Sequence, residues 1–344
     1  MTRILVTGGA GFLGSHILVA LHEAGFENIV VADDLRRSDQ CMLDGVRTIT
    51  GRSPDIRRID VTDVNAVDRL FAVDGPFDVV IHLAAYKSVR ESMVAPFRYH
   101  QNNVGALLSV LGSMAKNTAT RLIFSSSCTV YGQTVDMPVR ETTPLGQPLS
   151  PYGASKQVCE QIIEDVTTLG NGREPTLTHA ISLRYFNPAG AHGSGLIGEF
   201  PIGVPDSLVP YVTQVAAGIR DSLQVFGADY ATPDGTPVRD YLHVVDLAEA
   251  HVAAVRWALA DSPGREIVNL GAGQGHSVLD VLAAFKTATG IEVPYSIASR
   301  RVGDASEIWS SADKASRLLG WATTRSLDQI LESAWNWQQR LVAA

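Results

Sequence analysis

Cysteine is scarce. The 344 residues hold three, Cys41, Cys128 and Cys159. The number is odd, and neither a CxxC pair nor a Cys/His spacing occurs. No disulfide framework and no structural metal are expected, and a reducing compartment is. Positive charge is also short. Against 36 aspartates and glutamates stand 28 lysines and arginines, a formal net charge of −8. That argues against a nucleic-acid partner, although a local arginine cluster can still hold an anion. No apolar run is long enough to span a bilayer, and no basic-then-apolar leader stands before the first strand. The expectation is a cytoplasmic protein with no membrane partner. Internal repeats and low-complexity segments are absent. What remains, 45% hydrophobic and 19% charged, is the balance of a soluble globular chain, long enough for two packed lobes.

The most informative stretch comes first. Arg3 to Thr7 is a short apolar run of strand type. Gly8-Gly9-Ala10-Gly11-Phe12-Leu13-Gly14 follows, then a helical pattern with Ile17, Leu18, Leu21 and Ala24 apolar. Strand, glycine turn and helix in that order make a dinucleotide-binding fingerprint. Gly8 permits the tight turn, Gly11 lets the backbone approach a pyrophosphate, and Gly14 lets the helix lie close to the strand. The helix N-terminus aims free N–H groups and its positive dipole end at the phosphates. A second strand, Asn28 to Ala32, ends at Asp33, where a carboxylate accepts ribose hydroxyls and repels a 2′-phosphate. The cofactor implied is NAD rather than NADP. Arg36 and Arg37, just beyond, are the residues that would favour a 2′-phosphate instead.

Strands are predicted at Arg3–Thr7, Asn28–Ala32, Arg57–Ile59, Asp78–His82, Arg121–Ser125 and Ala180–Arg184, and helices at Gly11–Ala24, Val64–Val73, Pro96–Lys116 and Pro151–Leu169. This alternation implies an α/β fold, a doubly wound parallel sheet of Rossmann type over residues 1–186. Glycine and proline dominate Asn187 to Asp206, where a functional loop is expected. A smaller mixed α/β substrate lobe then spans 187–344, with a segment near 237–260 returning to the first domain. Helices are predicted there at Ser207–Ile219, Val244–Leu259, Ser277–Thr289 and Ser326–Trp337, and strands at Gln224–Phe226 and Glu266–Leu270.

Ligands of such sheets lie beyond the carboxyl ends of the strands. Asp60 and Val61 follow the third strand, as an adenine contact or as a helix cap. Leu83, Ala84 and Ala85 follow the fourth, small enough to bring backbone to the cofactor. Lys87, close behind, either bonds the nicotinamide ribose or is solvated. Tyr152 and Lys156 open a helix four residues apart, on one face. An ammonium beside a phenol favours the phenolate, lowers its pKa from about 10 and makes the tyrosine a usable base. The serines Ser125, Ser126 and Ser127 end the fifth strand; one of them can pass a substrate proton to the tyrosine, or all can bond local backbone. Arg239 and the pair Arg300-Arg301 form either a diphosphate clamp or surface ion pairs.

Taken together, VTGGAGFLGSH, HLAAYKSVRES, FSSSCTVYG, SPYGASK, LRYFNPAGAH, VRDYLHVVDLAEAHV and NLGAGQGHSVLDV resemble the UDP-glucose 4-epimerases of the extended short-chain dehydrogenase/reductase superfamily, over nearly the whole chain. The resemblance implies that Tyr152 is the base, Lys156 its electrostatic partner and Ser127 the proton shuttle. It places Asn102, Ser125 and Tyr185, with Lys87, Tyr152 and Lys156, around a tightly bound NAD. It assigns Asn187, Arg239 and Arg301 to the UDP diphosphate and Phe226, with Gln224, to the uracil region. Lys87, Ser127, Cys128, Thr129, Tyr152, Phe186, Ser207, Leu208 and Ile308 complete the implied substrate contacts. The implied reaction oxidises the sugar at C4, turns the 4-keto sugar and reduces it on the other face.

Related 4,6-dehydratases and decarboxylases carry an acid just after the strand-end serine or threonine. Here Cys128 and Thr129 stand there, which favours epimerisation over dehydration. Ile308 occupies a gate position, where a tyrosine restricts the family to UDP-glucose and UDP-galactose and a small residue admits N-acetylated sugars. Asp206-Ser207 replaces a usual pair of asparagines, and an aspartate beside a diphosphate is expected to repel it. The segment 36–58 matches the family poorly. Rival readings are a nucleotide-sugar dehydratase, a ketoreductase that consumes its cofactor, an epimerase of modified hexoses, and a non-catalytic dinucleotide sensor. Family members pair through helices equivalent to Pro96–Lys116 and Pro151–Leu169. Leu107, Leu108, Leu111, Ile162 and Ile163 serve that homodimer face or the core.

Overall fold

The computed structural model describes residues 1–134, 136–168, 177–260, 264–301, 303 and 305–343. In chain order the elements are β1 (Arg3–Thr7), α1 (Phe12–Glu23), β2 (Asn28–Asp33), α2 (Gln40–Thr50), β3 (Asp55–Arg58), α3 (Val64–Asp74), β4 (Val79–His82), α4 (Val89–Val94), α5 (Pro96–Lys116), β5 (Arg121–Ser127), α6 (Pro151–Thr168) and β6 (His179–Tyr185). Then come β7 (Asn187–Ala189), α7 (Leu208–Ala216), β8 (Leu223–Phe226), β9 (Val238–His243), α8 (Val244–Ala258), β10 (Gly264–Leu270), β11 (Gly275–Ser277), α9 (Val278–Thr289), β12 (Tyr295–Ala298), β13 (Glu307–Ile308), α10 (Asp313–Leu319) and α11 (Leu327–Ala343).

Seven strands form one parallel sheet in the order β10-β6-β5-β4-β1-β2-β3. Its central strands are near-continuous apolar runs, as a sheet covered on both faces demands. Side chains of β1 alternate between the two cores. Ile4 and Val6 meet α1, α2 and α8 through Ile17, Leu21, Met42 and Val255, and Leu5 meets α3, α5 and α6 through Leu70, Val110 and Ile163. The tight turn after β1 needs glycine: Gly8 has φ +73°, and a Cβ there would lie 2.8 Å from the Ala84 nitrogen. A Cβ on Gly14 would drive into the Gly8 carbonyl, so α1 can approach β1 only without it. The C-terminal ends of β1, β2, β4, β5 and β6 carry Gly8, Asp33, Leu83, Ser127 and Tyr185 to one edge of the sheet.

Three differences from the sequence expectation are instructive. Strand β3 begins two residues and ends one residue earlier than Arg57–Ile59, because it pairs Asp55 with Val30 and Arg58 with Asp33 at the sheet edge; its half-polar sequence gives little register signal. Helix α2, within the segment that matched the family poorly, had no sequence prediction. It is capped by Asp39, whose side chain accepts from the Cys41 N–H, and ends at Gly51 with φ +69°. The largest revision concerns the strand predicted at Glu266–Leu270 and assigned to the C-terminal lobe. It is β10, the outer strand of the main sheet, paired in parallel with β6 from Gly264 opposite His179 to Leu270 opposite Tyr185. Residues 187–344 therefore return twice to the first core: α8 packs on α1, and Val268 and Leu270 are fully buried beside β6.

The remaining residues build a smaller region. Strands β7 and β13 lie parallel to β9, β11 runs antiparallel to it, and β12 pairs with β8. Helices α7, α9 and α11 close over Val212, Val225, Tyr241, Phe285 and Leu331. The loop expected at Asn187–Asp206 contains β7 and a bridge between Ala191 and Gly198. Leu169, predicted as a helix end, falls outside the described residues. Among the described residues no helix is long and apolar enough to cross a membrane.

Candidate functional site

The glycine turn presents an anion cradle. Gly11 caps α1 with no side-chain hydrogen bond, so the first-turn N–H groups stay open. A Cβ on Gly11 would meet only the Gly8 carbonyl oxygen, at 3.4 Å. No protein atom requires glycine there; its absent side chain leaves the approach to those N–H groups clear, which fits a pyrophosphate. Asp33 accepts the Ala10 N–H at 3.0 Å, the Leu35 N–H at 2.9 Å and the Ser38 hydroxyl at 3.1 Å. It locks the turn, and burial pushes its carboxyl up. Arg36 is bound to Asp34 and Asp60, and Arg37 to Glu91 at 2.8 Å. Both guanidiniums thus face carboxylates, which suits NAD. Asp60 does not cap α3; it accepts from the Thr62 N–H and hydroxyl, and Asp63 is the cap. Val61 is buried beside it.

Beyond β4, the Leu83 and Ala84 N–H groups donate to the Thr7 hydroxyl oxygen at 3.2 and 3.3 Å, which fixes the Leu83-Ala84-Ala85 backbone against the turn. Lys87 reaches Glu199 at 2.8 Å and lies over the Phe12 ring. Asn102 is half-buried and donates to Asn103. Asn103, which sequence reasoning passed over, is the buried hub: it accepts the Tyr86 N–H at 2.8 Å and donates to Tyr86 O and to the Ser155 hydroxyl. Two adjacent asparagines on a helix offer no sequence signal for which one turns inward.

Tyr152, Ser127 and Lys156 do come together. A hydrogen bond joins the Tyr152 phenol to the Ser127 hydroxyl. The Ser127 oxygen also accepts from the Thr129 N–H and hydroxyl at 3.2 and 3.0 Å. Lys156 is buried, donates to Ser125 O at 2.7 Å and stands over the Phe124 ring. The expected lowering of the Tyr152 pKa is not found. Lost hydration pushes the half-buried phenol up to about 12, the Ser127 bond opposing it. Burial likewise brings Lys156 down to about 8, against the pull of Cys159 and Glu160. Desolvation drives both groups toward neutrality in this geometry.

Other parts were not legible from spacing. Tyr185 gives its hydroxyl to His251 Nε2 at 2.6 Å and also bonds Ser125, while burial raises its pKa. His251, kept neutral near 4 by burial, bonds Leu247 O through Nδ1 at 2.8 Å. Glu160 takes a fork from Arg184 at 3.0 and 2.7 Å and a hydroxyl from Ser126 at 2.5 Å. Arg184 also covers the Tyr131 ring.

Cys128, Phe186 and Ile308 share one buried apolar cluster with Val130, Tyr131 and Val139. Burial pushes the Cys128 thiol up to about 12. Arg301 stacks on Phe226 at 4.2 Å, and Gln224 shares that strand face with it (alternate residues of β8). Arg300 instead turns to Asp229 and the Tyr230 ring. Arg239 donates to Val238 O and Ala305 O, and Asn187 lies opposite Tyr241. Asp240, also missed, is fully buried and gathers the Ala272, Gly273 and Ser310 N–H groups. Ser207 caps α7 without a side-chain cap bond, and Leu208 begins the helix. Asp206 is not left to repel: Arg90 Nε donates to it at 2.8 Å. Two surface cavities, of about 280 and 550 Å³, lie elsewhere, beside His22 and Arg52 and beside Arg140 and Lys314. No group of three or more His, Cys, Asp or Glu able to hold a metal occurs among the described residues.

Residues 4–271 match the NAD dependent epimerase/dehydratase family. The UDP-glucose 4-epimerase of Yersinia pestis is 47% identical over 337 residues, 98% of this chain and 97% of that one. The mouse UDP-glucose 4-epimerase is 42% identical over 345 residues, 99% of this chain and 97% of that one. The crystal structure of UDP-glucose 4-epimerase from Bifidobacterium longum, in complex with NAD+ and UDP, is 43% identical and superposes with a TM-score of 0.93 over 98% of both chains. That of Stenotrophomonas maltophila, with bound NAD and formylated UDP-arabinopyranose, is 42% identical with a TM-score of 0.93, covering 100% of this chain and 99% of that one.

Proposed function

Because this chain belongs to the NAD-dependent epimerase/dehydratase family, and within it to the UDP-glucose 4-epimerases, we propose that it interconverts UDP-galactose and UDP-glucose by inversion at C4, as an NAD-dependent isomerase. The observation that carries this is the meeting of Tyr152, Ser127 and Lys156 beside an open phosphate cradle, in a likeness that runs the length of the chain. A bound NAD would supply the hydride acceptor and, after the sugar turns, the hydride donor at C4. The chain's own groups manage the rest. The open first turn of α1 holds the pyrophosphate, with Asp33 at the ribose. The Tyr152 oxygen takes the proton of the C4 hydroxyl, directly or through Ser127, and gives it back. Lys156 holds the ribose and offsets the phenolate charge. Arg239, Arg301 and Asn187 hold the diphosphate, while Phe226 and Gln224 flank the uracil. The hexose meets Cys128, Thr129, Phe186 and Ile308, a pocket with few fixed donors, in which a flat 4-keto sugar can turn.

The test uses protein purified without added cofactor and given UDP-galactose alone. UDP-glucose as product, with NAD released on denaturation, is the expected result. A 4-keto-6-deoxy product, or no reaction until reduced cofactor is supplied and consumed, overturns it in favour of a dehydratase or a ketoreductase. The same sample, weighed in solution at micromolar concentration, is expected to give a dimer. Leu107, Leu111 and Ile163 belong to the core, but Phe97, Leu108 and Val158 stay exposed along α5 and α6 and are available to a second copy. Three free thiols suit the cytoplasm. Ile308 is nearly buried against Phe186 and Tyr131, so its bulk limits the space beside the hexose. Good turnover of UDP-glucose and at most weak turnover of UDP-N-acetylglucosamine are expected. Ile308→Gly should raise the latter, and no gain there removes the gate role.

A further inference from the structure

One charge beside the proposed diphosphate site is not what the epimerase pattern supplies. Asp206 stands where an asparagine is usual, and its partner Arg90 projects from α4, far away in sequence. Arg90 does not act alone. Lys87, at the start of the same segment, bonds Glu199 Oε1 at 2.8 Å, and that oxygen also accepts the Ser207 hydroxyl at 3.0 Å. From behind, Trp337 Nε1 donates to the Glu199 carbonyl oxygen at 2.9 Å, and a Cβ on Gly198 would run into the Trp337 ring. The stretch from Glu199 to Ser207 is thereby closed on itself and fastened at both ends, by Lys87 at Glu199 and by Arg90 at Asp206. Because Ser207 gives its hydroxyl to Glu199, it leaves the first N–H groups of α7 uncapped.

We infer that Arg90 is a specificity-determining positioning residue. By pairing with Asp206 it cancels a carboxylate that would otherwise face the diphosphate, and it fixes Ser207-Leu208 for that group. The inference rests on the proposed UDP site. It differs from the bland reading, an exposed ion pair with little effect on anything, in where the effect appears. A lone carboxylate next to a multiply charged anion weakens binding of that anion and leaves a neutral nucleoside untouched.

The experiment compares holoenzyme of wild type, Arg90→Ala, and Arg90→Ala with Asp206→Asn, titrated with UDP and with uridine at low ionic strength. Arg90→Ala is expected to weaken UDP by roughly tenfold and uridine by less than about twofold. It should raise the KM for UDP-galactose with kcat unchanged, because uniform binding is what is lost. Removing the carboxylate in the double variant should restore most of the UDP affinity. Unchanged UDP binding in Arg90→Ala, an equal loss for uridine, or no recovery in the double variant overturns the inference. A wild-type protein that prefers UDP no more than uridine speaks against the UDP site itself, which is a separate failure.

Discussion

Tyr152→Phe should lower kcat for UDP-galactose by about 10²–10⁴-fold, the range for losing a positioned acid–base group. The change removes one oxygen and keeps the ring, which packs edge-on against Tyr99, so stability and UDP affinity should hold. Loss confined to kcat is the signature of a group needed only while the proton moves. The size of the effect follows from the environment. A phenol pushed up to about 12 gives up its proton at neutral pH only with help from neighbouring charge and from the Ser127 hydroxyl, so no water replaces it cheaply. Steady-state kinetics and a UDP titration on the same preparation decide the matter. A kcat within tenfold of wild type would remove Tyr152 from the proton path.

Glu160→Ala should destabilise the protein by about 3–5 kcal/mol, the cost of leaving a buried charge without its partner. Arg184 is 2% exposed, and its Nη1 already lacks a hydrogen bond, so the fork to Glu160 carries its compensation. Ser126, on the strand that also presents Ser127, donates to the same carboxylate. The loss should therefore register in denaturant unfolding and also as a weaker catalyst. A Glu160→Leu, Arg184→Met double variant, which removes both charges, should recover much of the stability that the single change loses. Equal instability of the single and double variants would show that packing, not charge, holds this place.

The sequence carried the parallel sheet because its signals are local. Apolar runs such as Leu5-Val6 and Val79-Val80-Ile81, glycines at forced turns, and helices whose apolar faces repeat at helical spacing all speak within a few residues. It carried the Tyr152–Lys156 pair for the same reason: four residues on one helix need no tertiary knowledge. What escaped it depends on distant partners. Nothing near Glu266 says that its strand closes the main sheet, since that follows from where α8 sets the chain down. The Arg90–Asp206 pair joins two charges that each look like ordinary surface. Whether Lys156 lowers the Tyr152 pKa turns on how much water each side chain loses, which spacing does not record. Asn103 and Asp240 were ordinary polar letters until burial made the first a bridge between Tyr86 and Ser155 and the second a collector of backbone N–H groups.

The place of β10 bears on how the molecule comes to exist. As the chain leaves the ribosome, β6 is made well before the strand that will flank it. In that interval every residue of β6, all of them buried in the finished protein, lines an open edge able to pair with any extended segment nearby. A nascent chain must protect that edge across the synthesis of everything between the two strands. The main sheet is for this reason complete only when both stretches of chain are present. Cutting the chain after β6 is expected to leave an unfinished sheet prone to self-association, read as aggregation of the truncated protein.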